Sequence, residues 1–123
     1  MSLSRLPETE LIVMRILWDN GKNINSDTIV SEFRRQKSWE RPAILTLLKR
    51  LERKGFVFCR KDGRLNVYNA IVTEREYLEF EGKNFLEKIC GNSVKKFVVT
   101  LYNNHNISKQ DLEELRQFIE EEE

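Results

Sequence analysis

Within this 123-residue chain, Ile44, Leu47, Leu48 and Leu51 recur at the spacing i, i+3, i+4, i+7. At about 100° per residue they share one narrow helical face, while Pro42, Thr46, Lys49 and Arg53 fall on the opposite face with Arg50 at its edge. The helix begins after Trp39, carries Pro42 in a first turn that has no need of its N–H, and stops near Lys54 and Gly55. Gly55 opens directly into Phe56-Val57-Phe58-Cys59-Arg60-Lys61, whose aromatic and β-branched content favours a strand. Asp62-Gly63 reads as a two-residue hairpin turn, and Arg64-Leu65-Asn66-Val67-Tyr68 alternates apolar and polar residues as a return strand. A helix with one core face and one cationic face, joined to a hairpin with Lys61 and Arg64 at its tip, leaves few folds open.

Two shorter helices precede it. Pro7, Glu8 and Glu10 suit a helix start, and Leu11, Met14, Leu17 and Trp18, widened by Val13 and Ile16, form a core stripe that ends at Asn20-Gly21. Asn23-Ile24-Asn25 is expected to be extended, with Asn25 or Ser26 capping a helix that carries Ile29, Val30 and Phe33. Three helices and a basic hairpin make a winged helix-turn-helix, mainly α with a small β-wing, expected over residues 1–72.

Beyond the hairpin the periodicity is helical again. Thr73-Glu74-Arg75-Glu76 fits a capping box, and Leu78, Phe85, Leu86 and Ile89 line the apolar side of the helix it opens. Val94, Phe97, Val98 and Leu101 repeat the i, i+3, i+4, i+7 spacing after Ser93, before a polar loop from Asn103 to Asn106. A last helix starts at Ser108, with Asp111 placed to reach back to the cap and Leu112, Leu115, Phe118 and Ile119 on one edge, and it ends in an acidic tail. Residues 73–123 are too few to enclose so much apolar surface alone, since folding below about 60 residues is marginal. A helical dimerisation arm, buried against a second copy, is the expectation, with Leu78, Phe85, Leu86, Ile89, Val94, Phe97, Val98, Leu101, Leu112, Leu115 and Ile119 at the contact.

The net charge of +1 hides a division between the two parts. Residues 1–72 hold 14 Lys/Arg against 8 Asp/Glu, whereas residues 73–123 hold 7 against 12. The cations concentrate between Arg34 and Arg64, as expected for a segment that meets a polyanion. Other classes find little support. No apolar run approaches the roughly 18 residues of a membrane span, and Met1 to Leu6 lack the features of a secretory signal, so a cytoplasmic protein is expected. Cys59 and Cys90 form no CxxC and read as reduced thiols, His105 reads as a surface histidine, and no phosphate loop or catalytic motif occurs. No enzyme activity, cofactor or metal is expected.

The expected partner is double-stranded DNA, whose major groove admits an α-helix. Arg41, Pro42, Ala43, Thr46, Lys49, Arg50 and Arg53 are the candidate contacts on the helix. Thr46 suits a base edge or thymine methyl, and Lys49, Arg50 and Arg53 suit phosphate or guanine. Arg60, Lys61 and Arg64 on the wing would hold the backbone or enter the minor groove. Within the domain, Arg50 could instead be tied to Glu32 and Lys54 could cap its own helix. Two other readings stay open: a winged-helix protein-interaction module, for which Pro42, Ala43 and Leu45 speak, and a metal- or ligand-sensing regulator using Cys59, Cys90 or His105.

Several stretches resemble the penicillinase repressors of the BlaI and MecI type. They are Leu11 to Trp18, with its Val-Met-x-Ile-Leu-Trp pattern, the block Thr46 to Gly55, the wing Lys61-Asp62-Gly63-Arg64 with Val67-Tyr68, and Ser108 to Leu115. The resemblance implies a cytoplasmic repressor that binds a palindromic operator as a homodimer, and a regulatory protease as a further partner. The cleavage pair of that family falls at Thr100-Leu101, and this chain lacks the cysteine cluster of its copper-responsive branch. Pro42, Ala43 and Leu45 stand where the family commonly places polar residues, whereas Thr46 matches a base-reading position.

Overall fold

The computed structural model describes residues 3–122. Met1 and Ser2, which open the segment considered for a secretory signal, and Glu123 of the acidic tail lie outside the described residues. The element order is α1 (Glu8–Asn20), β1 (Ile24–Asn25), α2 (Ser26–Arg34), α3 (Arg41–Arg53), β2 (Val57–Asp62), β3 (Leu65–Ala70), α4 (Glu74–Lys88), α5 (Val94–Asn103) and α6 (Lys109–Glu122). The chain forms two compact units, one ending at Phe80 and the other beginning at Glu81.

The first unit is a winged helix-turn-helix. Ile44, Leu47, Leu48 and Leu51 of α3 are all buried, together with Ile29, Val30 and Phe33 of α2. On α1 the buried stripe is centred on Ile12, Val13, Ile16 and Leu17, with Met14, while Leu11 and Trp18 lie at its margin. Ile12 thus joins a core stripe that was expected to pass it by. Asn25 caps α2 by accepting from the Thr28 N–H at 2.9 Å. The sheet is antiparallel with order β1-β3-β2, Ile24 facing Tyr68 and Val57 facing Ala70.

The junction of α3 with the hairpin is three residues long, Lys54 to Phe56. Gly55 takes φ +79°, its N–H donates to Glu52 O at 3.1 Å, and the Phe56 N–H reaches back to Leu51 O at 2.9 Å. This is the paired bonding of a Schellman terminus, and the side chains of Phe56 and Leu51 are both in the core. At the tip, Asp62 pairs with Leu65, so the two-residue loop is Gly63-Arg64 rather than the expected Asp62-Gly63. Gly63 has φ +67° and Arg64 is not in the left-handed region, the Gly-first pattern of a type II′ turn. The return strand accordingly starts at Leu65, not Arg64, and runs on to Ala70.

The winged unit ends at Phe80, not at the expected Val72, because the start of α4 is fastened to its core. The Tyr77 hydroxyl accepts from the Leu6 N–H at 2.8 Å, and its ring lies about 6 Å from those of both Trp18 and Phe56. Trp18 Nε1 donates to Val72 O at 2.9 Å. Thr73 and Glu76 form the expected capping box, with Glu76 N–H donating to Thr73 Oγ1 at 3.1 Å and Thr73 N–H to Glu76 Oε1 at 3.3 Å.

In the second unit, Ser93 caps α5 through the Lys96 N–H at 3.0 Å. Ser108 and Asp111 exchange backbone-to-side-chain bonds of 2.8 and 3.1 Å at the start of α6. Phe85 and Phe97 meet edge to face at 5.1 Å between centroids. No described residue of α5 or α6 is buried.

Candidate nucleic-acid interface

The core face of α3 determines what its other face presents. Pro42, Ala43, Thr46, Lys49, Arg50 and Arg53 are all exposed, and Leu45 is half-buried. Pro42, Thr46, Lys49 and Arg53 follow one line along the helix, since their rotations about the axis differ by roughly 60° at most. Among the described residues, the side chains of Lys49, Arg50 and Arg53 have no hydrogen-bond or ion-pair partner. Arg50 is not held by Glu32, whose Oε2 accepts from Asn20 Nδ2 at 2.7 Å instead. Thr46 donates its hydroxyl proton to Pro42 O at 2.9 Å.

Arg41, at the first position of the same helix, is differently disposed. Its guanidinium donates to Asp27 Oδ1 at 2.8 Å and to Ser26 Oγ at 3.1 Å, bracing the start of α3 against the start of α2. Lys54 holds the C-cap position of α3, its N–H donating to Arg50 O at 3.0 Å, but its side chain turns elsewhere. Its Nζ lies 2.6 Å from Oε1 of Glu10, a carboxylate only 2 % exposed, and so ties the end of α3 to α1. The early acidic residues of α1 read simply as complements to the helix dipole, but Glu10 is one turn before Met14 and two before Leu17. That position on the buried stripe was the signal for a charged partner.

On the wing, Lys61 and Arg64 are exposed and, among the described residues, unpartnered at their side chains. Arg60 is engaged, its Nη2 donating to Asn23 Oδ1 at 2.8 Å. Asn23 holds φ +55°. Its N–H donates to Asn69 Oδ1 at 2.9 Å, and its Oδ1 also accepts from Asn69 Nδ2 at 3.1 Å. This polar knot joins β1 to the base of the wing, and periodicity gave no signal for it because it links residues far apart in sequence. Among the described residues, five cations of α3 and the wing tip therefore have no side-chain partner, Lys49, Arg50 and Arg53 on the helix and Lys61 and Arg64 on the wing.

Cys59 faces Tyr68 across the hairpin. Burial, with the Cys59 thiol beside it, pushes the Tyr68 hydroxyl up to about 12. Cys59 is half-buried, Cys90 is buried, and both are free thiols. Among the described residues, no three or more His, Cys, Asp or Glu side chains come together as a metal site, and no helix is long and apolar enough to cross a membrane. His105 is exposed with φ +62° at the end of α5, where the Asn106 N–H donates to Leu101 O at 2.9 Å. It occupies a helix-terminating position that glycine usually fills.

The candidate dimerisation residues are divided. Leu78, Phe85, Ile89, Val94, Leu115 and Ile119 are exposed, Ile89 and Val94 at 67 and 59 %, whereas Leu86, Phe97, Val98, Leu101 and Leu112 are half-buried. Ile89 lies just past the end of α4. Val99 and Phe118 add exposed apolar surface that the expected contact set omitted. Thr100-Leu101 is inside α5, with Thr100 Oγ1 donating to Lys96 O at 2.8 Å.

Residues 6–121 match the family model described as penicillinase repressor. The chain is 29% identical over 119 residues to the penicillinase repressor of Bacillus licheniformis, covering 97% of this chain and 92% of that protein. It is 30% identical over 114 residues to the methicillin resistance regulatory protein MecI of Staphylococcus aureus, covering 93% and 92%. Among solved structures, the DNA-binding domain of the repressor BlaI aligns with a TM-score of 0.53 at 32% identity, over 59% of this chain and 88% of that one. Bacillus licheniformis BlaI, in its monomeric form in complex with the blaP half-operator, also gives a TM-score of 0.53, at 30% identity over 62% and 92%.

Proposed function

Because the chain belongs to the penicillinase repressor family, we propose that it is a DNA-binding transcriptional repressor that lays α3 in the major groove and sets its wing against the flanking backbone. It is not an enzyme. The observation that carries the reading is the division of α3 into a fully buried apolar face and an outward face whose cations Lys49, Arg50 and Arg53 are unpartnered among the described residues. Lys61 and Arg64 continue the positive surface at the wing tip. The solved complex of the related BlaI with its half-operator supports the same partner for this chain.

The repressor acts as a homodimer on a palindromic operator, since two-fold protein symmetry calls for two-fold symmetry in the site. The exposed apolar residues of the second unit, Ile89, Val94, Val99, Phe118 and Ile119 among them, support self-association. Its place of action is the cytoplasm, where its operator lies. A regulatory protease acting at Thr100-Leu101 would have to unwind α5 first.

Fluorescence anisotropy with duplexes from the region upstream of its own gene tests the reading. Selective binding that tightens at low salt, and is strongly weakened in the Arg53→Ala, Arg64→Ala double variant, is the expected result. Equal affinity for random duplex would refute sequence-specific repression.

A further inference from the structure

We propose that the first half of the outward face of α3 reads thymine through its 5-methyl group, by carbon surface and not by hydrogen bonds. The inference rests on the groove docking proposed above. Along the outward line the cations begin only at Lys49. Before it stand Pro42, which has no N–H and presents a ring of methylenes, and Thr46, with the Ala43 methyl beside them, all three exposed. Thr46 is the one polar side chain of the three, and its proton is committed to Pro42 O at 2.9 Å. It offers a base edge its γ-methyl and an accepting lone pair.

This half of the outward face therefore lacks the side chains that donate to guanine or pair bidentately with adenine, and all that it offers the amino group of cytosine or adenine is the one Thr46 lone pair. A carbon surface pressed on those edges would strip water from their donors and acceptors without replacing it. Thymine alone among the four bases projects a methyl group into the major groove. Pro42 and Thr46 are about one helical turn apart, roughly 5–6 Å, a span that takes in one or two base steps of ~3.4 Å. Lys49, Arg50 and Arg53 then continue the line toward phosphate or guanine.

The test uses the full-length chain and a duplex selected by it from a randomised pool, resynthesised with deoxyuridine in place of each thymine in turn. At one or two thymines in each half-site, loss of the methyl should weaken binding about fourfold, the weight of one such group returned to water. Thr46→Ser keeps the hydroxyl and deletes the methyl. It should lose a similar factor on the thymine duplex and become indifferent to deoxyuridine at one position. Thr46→Val keeps a methyl without the hydroxyl and should hold affinity within twofold. Thermal melts establish that both exposed-site variants are folded. Selective binding with no sensitivity to deoxyuridine anywhere, or a loss in Thr46→Val with none in Thr46→Ser, overturns methyl readout and leaves the docking intact. Absence of any selected duplex would bring down the docking and the readout together.

Discussion

Glu10 is almost fully buried, and Lys54 is the ion-pair partner the structure gives it. Lys54→Ala would leave that carboxylate unpaired in the interior, a change that costs about 3–5 kcal/mol for fully buried pairs and roughly 2 here because the Lys54 side chain is one-third exposed. Urea denaturation should register this loss, and Glu10→Gln, which removes the buried charge as well, should cost less. Tyr68 makes a prediction about pH. Its hydroxyl is raised to about 12 in the folded chain against about 10 when unfolded, so the folded state holds its proton more tightly. Tyr68 should therefore contribute no pH dependence below about pH 10 and lower stability between 10 and 12, where the unfolded chain ionises first. A Tyr68→Phe variant melted across that range should lose this component. Individual cations were legible in the sequence as a group, but not which of them are free. The partners of Arg41, Lys54 and Arg60 are Asp27, Glu10 and Asn23, brought in by elements that no local spacing connects.

Elements were the most legible level, because periodicity and caps are local. The buried face of α3, the Asn25 cap, the Thr73 box and the Ser108–Asp111 pair depend on residues three or four apart, and each is present. The hairpin turn was misplaced by one residue because Asp-Gly is itself a good turn, while the observed register is set by cross-strand pairing such as Cys59 with Tyr68. The extent of the first unit escaped the sequence for a similar reason: Tyr77 belongs by position to α4 and by packing to the winged core. Gly55 carries a prediction of its own. At φ +79°, Gly55→Ala should cost about 1–2 kcal/mol in denaturation midpoints. It should also broaden amide signals on both α3 and β2, since the residue serves both.

At the scale of the whole molecule, charge and apolar surface are sorted into different parts of the chain. In the proposed dimer, Arg53→Ala with Arg64→Ala removes four cations from the complex, so the slope of log affinity against log salt should become shallower by about 3–4. Sedimentation should find a dimer at micromolar concentration, and Ile89→Lys with Val94→Lys should yield a monomer that retains the melting transition of the winged unit. A monomeric parent protein would count against self-association. The short junction around Gly55 sets one dimension of the assembly. With only Lys54, Gly55 and Phe56 between α3 and β2, and the N–H groups of Gly55 and Phe56 bonded back to the helix, α3 and the wing tip are the two jaws of a caliper with a set gap. A duplex that is over- or underwound between those two points must bend to the protein and bear the elastic cost itself, so the chain would gauge the pitch of DNA at base pairs it never touches.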